Sequence, residues 1–202
     1  MLIDNKFLKY FSFILSSVFI IYIIYLIISS FIIVKNQFTD IGDTTYVNQV
    51  RIDDYTKRLS SYLTKDCKKN ELCEIQSLLD FTTNIPYKIN ESIARSSKQV
   101  VKQNYGDCDD KSNLLISLLK VRDYKAYFVL VPKHIFVIVK LDKKLANKKA
   151  LYINDEAFYI LESTAKGSKI GFRFKYNYDE VEAVIDPFKN EKLLVNSLEY
   201  KY

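Results

Sequence analysis

The sequence predicts an α+β domain that follows a single apolar helix at the N-terminus. Three observations support this prediction: an uncharged apolar run over residues 11–34, helical patterns in the first half of the remaining chain, and short strand patterns in the second half. Helices followed by a run of antiparallel strands are the order typical of α+β folds. With 202 residues, the chain has room for one compact domain and an appendage.

The apolar run over residues 11–34 predicts a transmembrane helix. At about 1.5 Å per residue it extends roughly 36 Å, enough to cross a hydrocarbon core of about 30 Å. A cleaved signal peptide has a shorter apolar region that ends at small residues, so we expect this longer run to stay in place as a signal anchor. Lys6 and Lys9 on one side against Lys35 on the other favour a cytoplasmic N-terminus. The domain is then predicted to lie outside the cytoplasm, in a single-pass membrane protein.

Composition narrows the classes of function. Hydrophobic residues make up 49% of the chain and charged residues 27%, which excludes a disordered chain and, taken as a whole, a polytopic membrane protein. The net charge of +6 is compatible with an anionic neighbour, but it also fits an ordinary solvated surface. Lys and Arg do not cluster with interleaved aromatic residues, so we expect no nucleic-acid partner.

The predicted organisation has five parts, of which the domain is the largest. Polar residues after the apolar run predict a stalk that becomes a first helix, and the last residues predict an irregular tail. The parts are a short N-terminal segment at 1–10, the transmembrane helix at 11–34, the stalk and first helix at 35–65, the domain at 66–185 and the C-terminal tail at 186–202.

The three cysteines divide into a close pair and a single residue. Cys67 and Cys73 have five residues between them in a polar stretch, whereas Cys108 stands alone. A disulfide between Cys67 and Cys73 suits an oxidising compartment. Two free thiols, or a pairing of Cys108 with either of the other two, remain open alternatives from the sequence.

The clearest helix of the domain begins near Cys108, directly after Gly106 and Asp107. Its leucines form an apolar stripe that predicts burial against a sheet: Leu114, Leu115, Leu118 and Leu119. A cysteine in the first helical turn meets unpaired N–H groups and the positive end of the helix dipole, which favour thiolate over thiol. Cys108 is therefore a candidate nucleophile, although a lone cysteine before a helix is more often a small buried residue.

Three acidic residues surround this candidate nucleophile: Asp107, Asp109 and Asp110. Their negative charges raise the pKa of a neighbouring thiol, so a cation is needed close to the sulfur. Capping of the helix N-terminus is the expected role for these carboxylates. Calcium binding is the alternative, but the cluster lacks the regular spacing and the glycine of an EF-hand loop, so we predict no metal site.

His134 is the candidate for the cation, and it is the only histidine in the chain. It begins the second of two strand patterns, Tyr124–Val131 and His134–Leu141, which predict an antiparallel hairpin. A third polar group usually fixes the tautomer of such a histidine, and Glu162 and Asp155 are the candidates downstream. We favour Glu162, because it ends the next strand beside His134, whereas Asp155 lies in a predicted turn.

Residues 105–119, YGDCDDKSNLLISLL, resemble the cysteine motif of the transglutaminase-like superfamily, in which a GDCDD-type turn opens the central helix. Two further blocks follow in the family's order: residues 128–137 resemble its histidine strand, and residues 159–164 its acidic strand. The upstream segment 85–87 also resembles the family, so the likeness covers roughly residues 70–172.

The resemblance implies a papain-like or transglutaminase-like fold, with the cysteine at the start of a central helix that packs on an antiparallel sheet. It also implies a nucleophilic Cys108, His134 as the base and Glu162 as the residue that orients the histidine, with no cofactor. Glutamate at 162 departs from the aspartate that is commoner in the family, although Gly167 to Gly171 resemble a branch that uses glutamate. We expect a bacterial-type, membrane-anchored member of the superfamily.

The preferred functional hypothesis is a membrane-anchored thiol hydrolase, a cysteine peptidase or amidase. Its substrate would be a protein or peptide, with the cell envelope as the expected setting. The same three residues also serve a protein-glutamine acyltransferase, because water and amines can both accept the acyl group from a thioester. An inactive, membrane-tethered binding module is the third alternative.

Overall fold

The computed structural model describes residues 6–42, 45–90 and 94–202. Within these residues, helices occupy the first part of the chain and a seven-stranded antiparallel sheet occupies the second. The predicted α+β class is confirmed. Residues 1–5 of the predicted N-terminal segment lie outside the described part.

The N-terminal helix α1 spans Lys6–Gln37 and is wider than the predicted run over 11–34. Its stretch Lys6–Lys35 has a mean hydropathy of 2.7, and its side chains are exposed almost throughout. The helix is long and apolar enough to cross a membrane, as the sequence predicted.

Residues 35–65, predicted as a stalk and a first helix, form a hairpin and a helix that pack on the domain. The hairpin consists of β1, Phe38–Asp40, and β2, Thr45–Val47, paired antiparallel. The helix α2, Asp54–Thr64, contacts the helices that follow it. Buried polar residues such as Ser60, whose hydroxyl donates to the Leu118 carbonyl at 2.9 Å, carry this packing. That polar composition explains why the sequence pattern indicates a spacer.

Four more helical segments complete the helical layer. They are a 3₁₀ turn Lys65–Cys67, α3 Glu71–Asn84, α4 Ser97–Gln103 and α5 Cys108–Val121. Cys67 and Cys73 form a disulfide that ties the 3₁₀ turn to the first turn of α3. Asn70 caps α3 by accepting a hydrogen bond from the Cys73 N–H at 3.0 Å.

The sheet has the strand order β8-β7-β3-β4-β6-β5-β9, with β3 and β4 at its centre. Its strands are β3 Ala126–Val131, β4 His134–Lys140, β5 Ala150–Ile153, β6 Glu156–Leu161, β7 Ala183–Asp186, β8 Glu191–Lys192 and β9 Leu198–Lys201. Residues 186–202, predicted as an irregular tail, supply both edge strands. Short, mostly polar segments carry little alternation, so their pairing with the sheet was not visible in the sequence.

Helix α5 packs across β4 and β3 and is the centre of the core. Its predicted leucine stripe is fully buried. Facing it are Phe128 of β3 and Val137 of β4, both with 0% exposure, and each such side chain contributes about 1.5–3 kcal/mol by leaving water. This packing brings the N-terminal end of α5 beside the N-terminal end of β4.

Candidate active site

The turn before α5 has no room for a side chain at Gly106. A Cβ atom there would lie 2.9 Å from the Asp110 Cβ. Asp107 caps the helix by accepting hydrogen bonds from the Asp110 N–H at 3.2 Å and the Asn90 N–H at 3.0 Å. These contacts fix the chain so that Cys108 is the first residue of α5.

The thiol of Cys108 is half-buried and belongs to the one free cysteine of the chain, since Cys67 and Cys73 are paired. Burial and the charges of Asp109 and Asp107 raise the pKa of this thiol to about 12. Its Sγ donates to Asp109 Oδ1 at 3.5 Å. The acids therefore oppose the helix dipole, as predicted, and the thiol keeps its proton until a base removes it.

His134 and Glu162 meet at the ends of two neighbouring strands. Strands β4 and β6 pair antiparallel with Val137 opposite Leu161, so the first residue of β4 lies close to the residue that follows β6. The distance from His134 Nε2 to Glu162 Oε2 is 3.0 Å. Asp155 lies at the opposite end of β6, in the turn before it, and is not brought to His134.

The carboxylate of Glu162 is held by a second pair of hydrogen bonds. Its Oε1 accepts from the Thr164 N–H at 3.0 Å and from the Thr164 hydroxyl at 2.6 Å. Burial alone would raise the pKa of Glu162, but the hydrogen bonds from His134 and Thr164 lower it. An ionised carboxylate only accepts, so His134 carries its proton on Nε2 and keeps Nδ1 as an acceptor.

Cys108 and His134 line the same cavity, which has a volume of about 400 Å³. Asp109 and Lys133 also line it, and it opens between the start of α5 and the β3–β4 turn. With Nε2 bound to Glu162, Nδ1 is the ring nitrogen available to a thiol in this cavity. The arrangement brings together the three predicted site residues.

Serine side chains join the helix that carries the cysteine to the strands that carry its partners. The Ser112 hydroxyl, one turn after Cys108, donates to the Ile135 carbonyl at 3.3 Å and lies 3.1 Å from the Ser163 hydroxyl. Ile135 and Ser163 adjoin His134 and Glu162 in the chain. The sequence analysis did not identify these serines, because a serine on a helix carries no signal of a partner distant in sequence.

The three acids beside Cys108 have three different roles. Asp107 is the helix cap, Asp109 lines the cavity, and Asp110 is fully buried in an ion pair with Arg95 at 2.6 Å. Arg95 also donates to the Tyr105 carbonyl at 2.8 Å and thereby ties α5 to the chain before it. Partial desolvation and the Asp107 carboxylate raise the pKa of Asp109. Arg95 was missed, since it lies in a segment without periodic pattern.

An aromatic stack supports the imidazole on the other side. The ring of Tyr176 lies 6.5 Å from that of His134 at an interplanar angle of 24°, and 6.1 Å from that of Phe136 at 7°. Tyr176 lies in an irregular segment between β6 and β7, where composition gave no signal. Such stacks contribute about 0.5–1.5 kcal/mol beyond area burial.

The hairpin after α1 forms the opposite wall of the cavity. Ile41, Thr45, Tyr46 and Val47 line it together with Cys108. The Tyr46 ring packs on Phe128 at 5.8 Å, while its hydroxyl oxygen is buried and has no hydrogen-bond partner among the described residues. The predicted stalk therefore supplies part of the site.

Comparisons with solved structures return proteins of related fold. A proposed cysteine protease from Cytophaga hutchinsonii is 18% identical over 55% of this chain and 37% of its own, with a TM-score of 0.41. Legionella pneumophila LapG is 10% identical over 60% of this chain and 78% of its own, with a TM-score of 0.43. A proposed protease from Parabacteroides distasonis is 13% identical over 59% of this chain and 28% of its own, with a TM-score of 0.38. No family model and no curated protein matches the sequence.

Proposed function

We propose that the protein is a membrane-anchored thiol hydrolase that cleaves amide bonds of a protein or peptide, with Cys108, His134 and Glu162 as its catalytic triad. One observation carries the proposal: Cys108 and His134 line one cavity while Nε2 of His134 is bound to Glu162. A base that is oriented by a third group and adjoins a thiol is the arrangement that nucleophilic catalysis needs.

The raised pKa of Cys108 determines how the thiolate forms. His134 Nδ1 takes the proton from Sγ as the sulfur attacks the substrate carbonyl, and Glu162 stabilises the imidazolium that results. The imidazolium then protonates the leaving amine as the C–N bond breaks, which leaves an acyl thioester on Cys108. Water, deprotonated by His134, attacks the thioester, and the thiol regains its proton from the imidazolium.

Charge on the substrate oxygen develops at the N-terminus of α5. The N–H of Cys108 belongs to the first turn of that helix, where amides have no partner within the helix and the dipole is positive. One such donor contributes about 2.7–4 kcal/mol to transition-state binding in comparable sites.

Helix α1 is the proposed membrane anchor, with the N-terminus in the cytoplasm and the domain outside. The length and hydropathy of α1 support spanning, and Lys6 and Lys9 support the orientation. The disulfide between Cys67 and Cys73 is consistent with an oxidising compartment.

The reaction is tested on the full chain in detergent, incubated with a peptide library with and without a primary amine. Mass spectrometry is expected to show hydrolysis products that are absent with Cys108→Ala and His134→Ala. Incorporation of amine in excess of hydrolysis would instead indicate an acyltransferase. Absence of any covalent acyl-enzyme or product would favour a binding module and contradict the proposal.

A further inference from the structure

The segment that follows the apolar helix directly forms the wall of the catalytic cavity. Strand β1 begins at the residue after α1, and the hairpin residues Ile41, Thr45 and Tyr46 face Cys108 across the cavity. No free spacer therefore separates the end of α1 from the site. This placement limits how far from a membrane the chemistry can occur.

The end of α1 is also bound to the domain from the far end of the chain. Asn190, in the turn between β7 and β8, donates from Nδ2 to the Lys35 carbonyl at 2.8 Å and to the Phe38 carbonyl at 3.0 Å. The Asn48 N–H donates to the Gln37 carbonyl at 2.7 Å. These bonds cap the helix and hold it against the edge of the sheet, so the domain cannot extend away on a flexible tether.

Chain geometry bounds the distance between the cavity and the bilayer. From Val34, the last residue of the apolar run, to Gln37 the helix rises about 4.5 Å, and from Gln37 to Ile41 the chain spans at most about 14 Å. Ile41 is therefore no more than roughly 19 Å from the hydrocarbon boundary. The polar interface takes up about 5–7 Å of this length, whereas a domain of this size has a radius of gyration of about 15 Å.

We propose that the substrate is a polypeptide segment next to the bilayer, in a protein anchored in the same membrane. The inference rests on the proposed function and on α1 as the anchor. A segment that emerges from its own membrane helix reaches the cavity within about ten extended residues, at about 3.3 Å each. Shared anchoring also raises the effective concentration of such a segment far above that of a soluble peptide.

The placement of the site is tested by energy transfer in liposomes. Cys108 is the one unpaired thiol of the chain, so a donor dye on its sulfur reports the distance to acceptor-labelled phosphatidylcholine headgroups. We expect a closest approach below about 30 Å from the chain lengths above. A value above about 40 Å would overturn the inference, whatever the enzymatic activity.

Insertion variants give a matched comparison. Twenty Gly/Ser residues between Gln37 and Phe38 add a mean reach of about 25 Å and are expected to lower the transfer efficiency. The same insertion after Lys143, in the exposed loop between β4 and β5, is expected to leave the efficiency unchanged. Equal effects of the two insertions would show that the α1 connection does not set the position of the site.

Substrate preference is tested with two reporter libraries in the same liposomes. In one, a randomised ten-residue segment follows a transmembrane helix directly; in the other, a rigid helical spacer of about 30 Å lies between them. We expect at least tenfold more cleavage of the first library by the native chain. Equal cleavage of both, or cleavage of neither, would overturn the inference. The proposed function fails separately, if the soluble peptide library and the alkylation of Cys108 both show an ordinary thiol.

Discussion

Glu162 acts on the imidazole of His134 in two ways, and both depend on its charge. It accepts the Nε2 proton, which leaves Nδ1 for the thiol, and it stabilises the imidazolium when Cys108 ionises. Its two bonds from Thr164 keep the carboxylate in place and lower its pKa. Glutamate can thus fill a position where the family more commonly has aspartate.

Replacement of Glu162 by glutamine is expected to lower kcat by about 10²–10⁴-fold, because an amide can donate to Nε2 and stabilise the wrong tautomer. The assay is cleavage of a peptide found in the library screen. Asp155→Asn is the matched control, since Asp155 lies at the other end of β6 and its change should leave the rate intact. Equal rates for Glu162→Gln and the native chain would remove Glu162 from the triad.

Tyr176 positions the imidazole through ring contact and not through its hydroxyl. Tyr176→Ala should lower kcat/KM by about 3- to 10-fold and change the acidic limb of the pH profile, whereas Tyr176→Phe keeps the stack and the rate. Tyr178→Ala is the control, because Tyr178 stacks on Phe174 and not on His134. Loss of activity in the Phe variant as well would show that the hydroxyl matters.

At the scale of elements, the start of α5 is specified by side chains that fit only one backbone path. Gly106 touches Asp110, and Asp110 is held by Arg95. The Gly106→Ala variant is expected to lose about 1–3 kcal/mol of unfolding free energy from overpacking, and to alkylate Cys108 more slowly as the first turn shifts. Thermal unfolding of the full chain in detergent measures the first effect. An unchanged melting temperature would show that the turn yields without cost.

The hairpin after α1 holds a buried hydroxyl without a partner, and this gives a stability test of its position. Tyr46→Phe is expected to raise the unfolding free energy by about 1 kcal/mol, because an unsatisfied buried polar group is removed. Tyr124→Phe is the matched change of opposite sign, since its hydroxyl bonds Glu74 at 2.8 Å. A destabilising Tyr46→Phe would mean that the hydroxyl has a partner in solution.

The sequence predicted the elements that carry a pattern and missed those that do not. The stripe of α5, the strands β3 and β4, and the order of Cys108, His134 and Glu162 were all visible in the sequence. The hairpin and the edge strands were not, because they are short and polar, and their contacts join residues such as Asn190 and Lys35 that lie 155 positions apart. Arg95 was hidden for the same reason: it acts through one tertiary ion pair.

At the scale of the whole molecule, the fold brings both ends of the chain to the site. The residues after α1 form one wall of the cavity, and the turn between β7 and β8 holds the end of α1. The membrane helix, the catalytic cavity and the C-terminal strands are therefore one structural unit. Such a unit suits an enzyme whose substrate is restricted to the surface of the same bilayer.

The pairing of Cys108 with His134 is tested most directly by the pH dependence of iodoacetamide alkylation. Without a base, a thiol with a pKa of about 12 reacts negligibly at pH 7, and its rate rises about tenfold per pH unit up to that pKa. The account predicts rapid alkylation of the native chain at neutral pH with a shallow pH dependence, and the steep profile for His134→Ala. The same steep profile for both proteins would contradict the account.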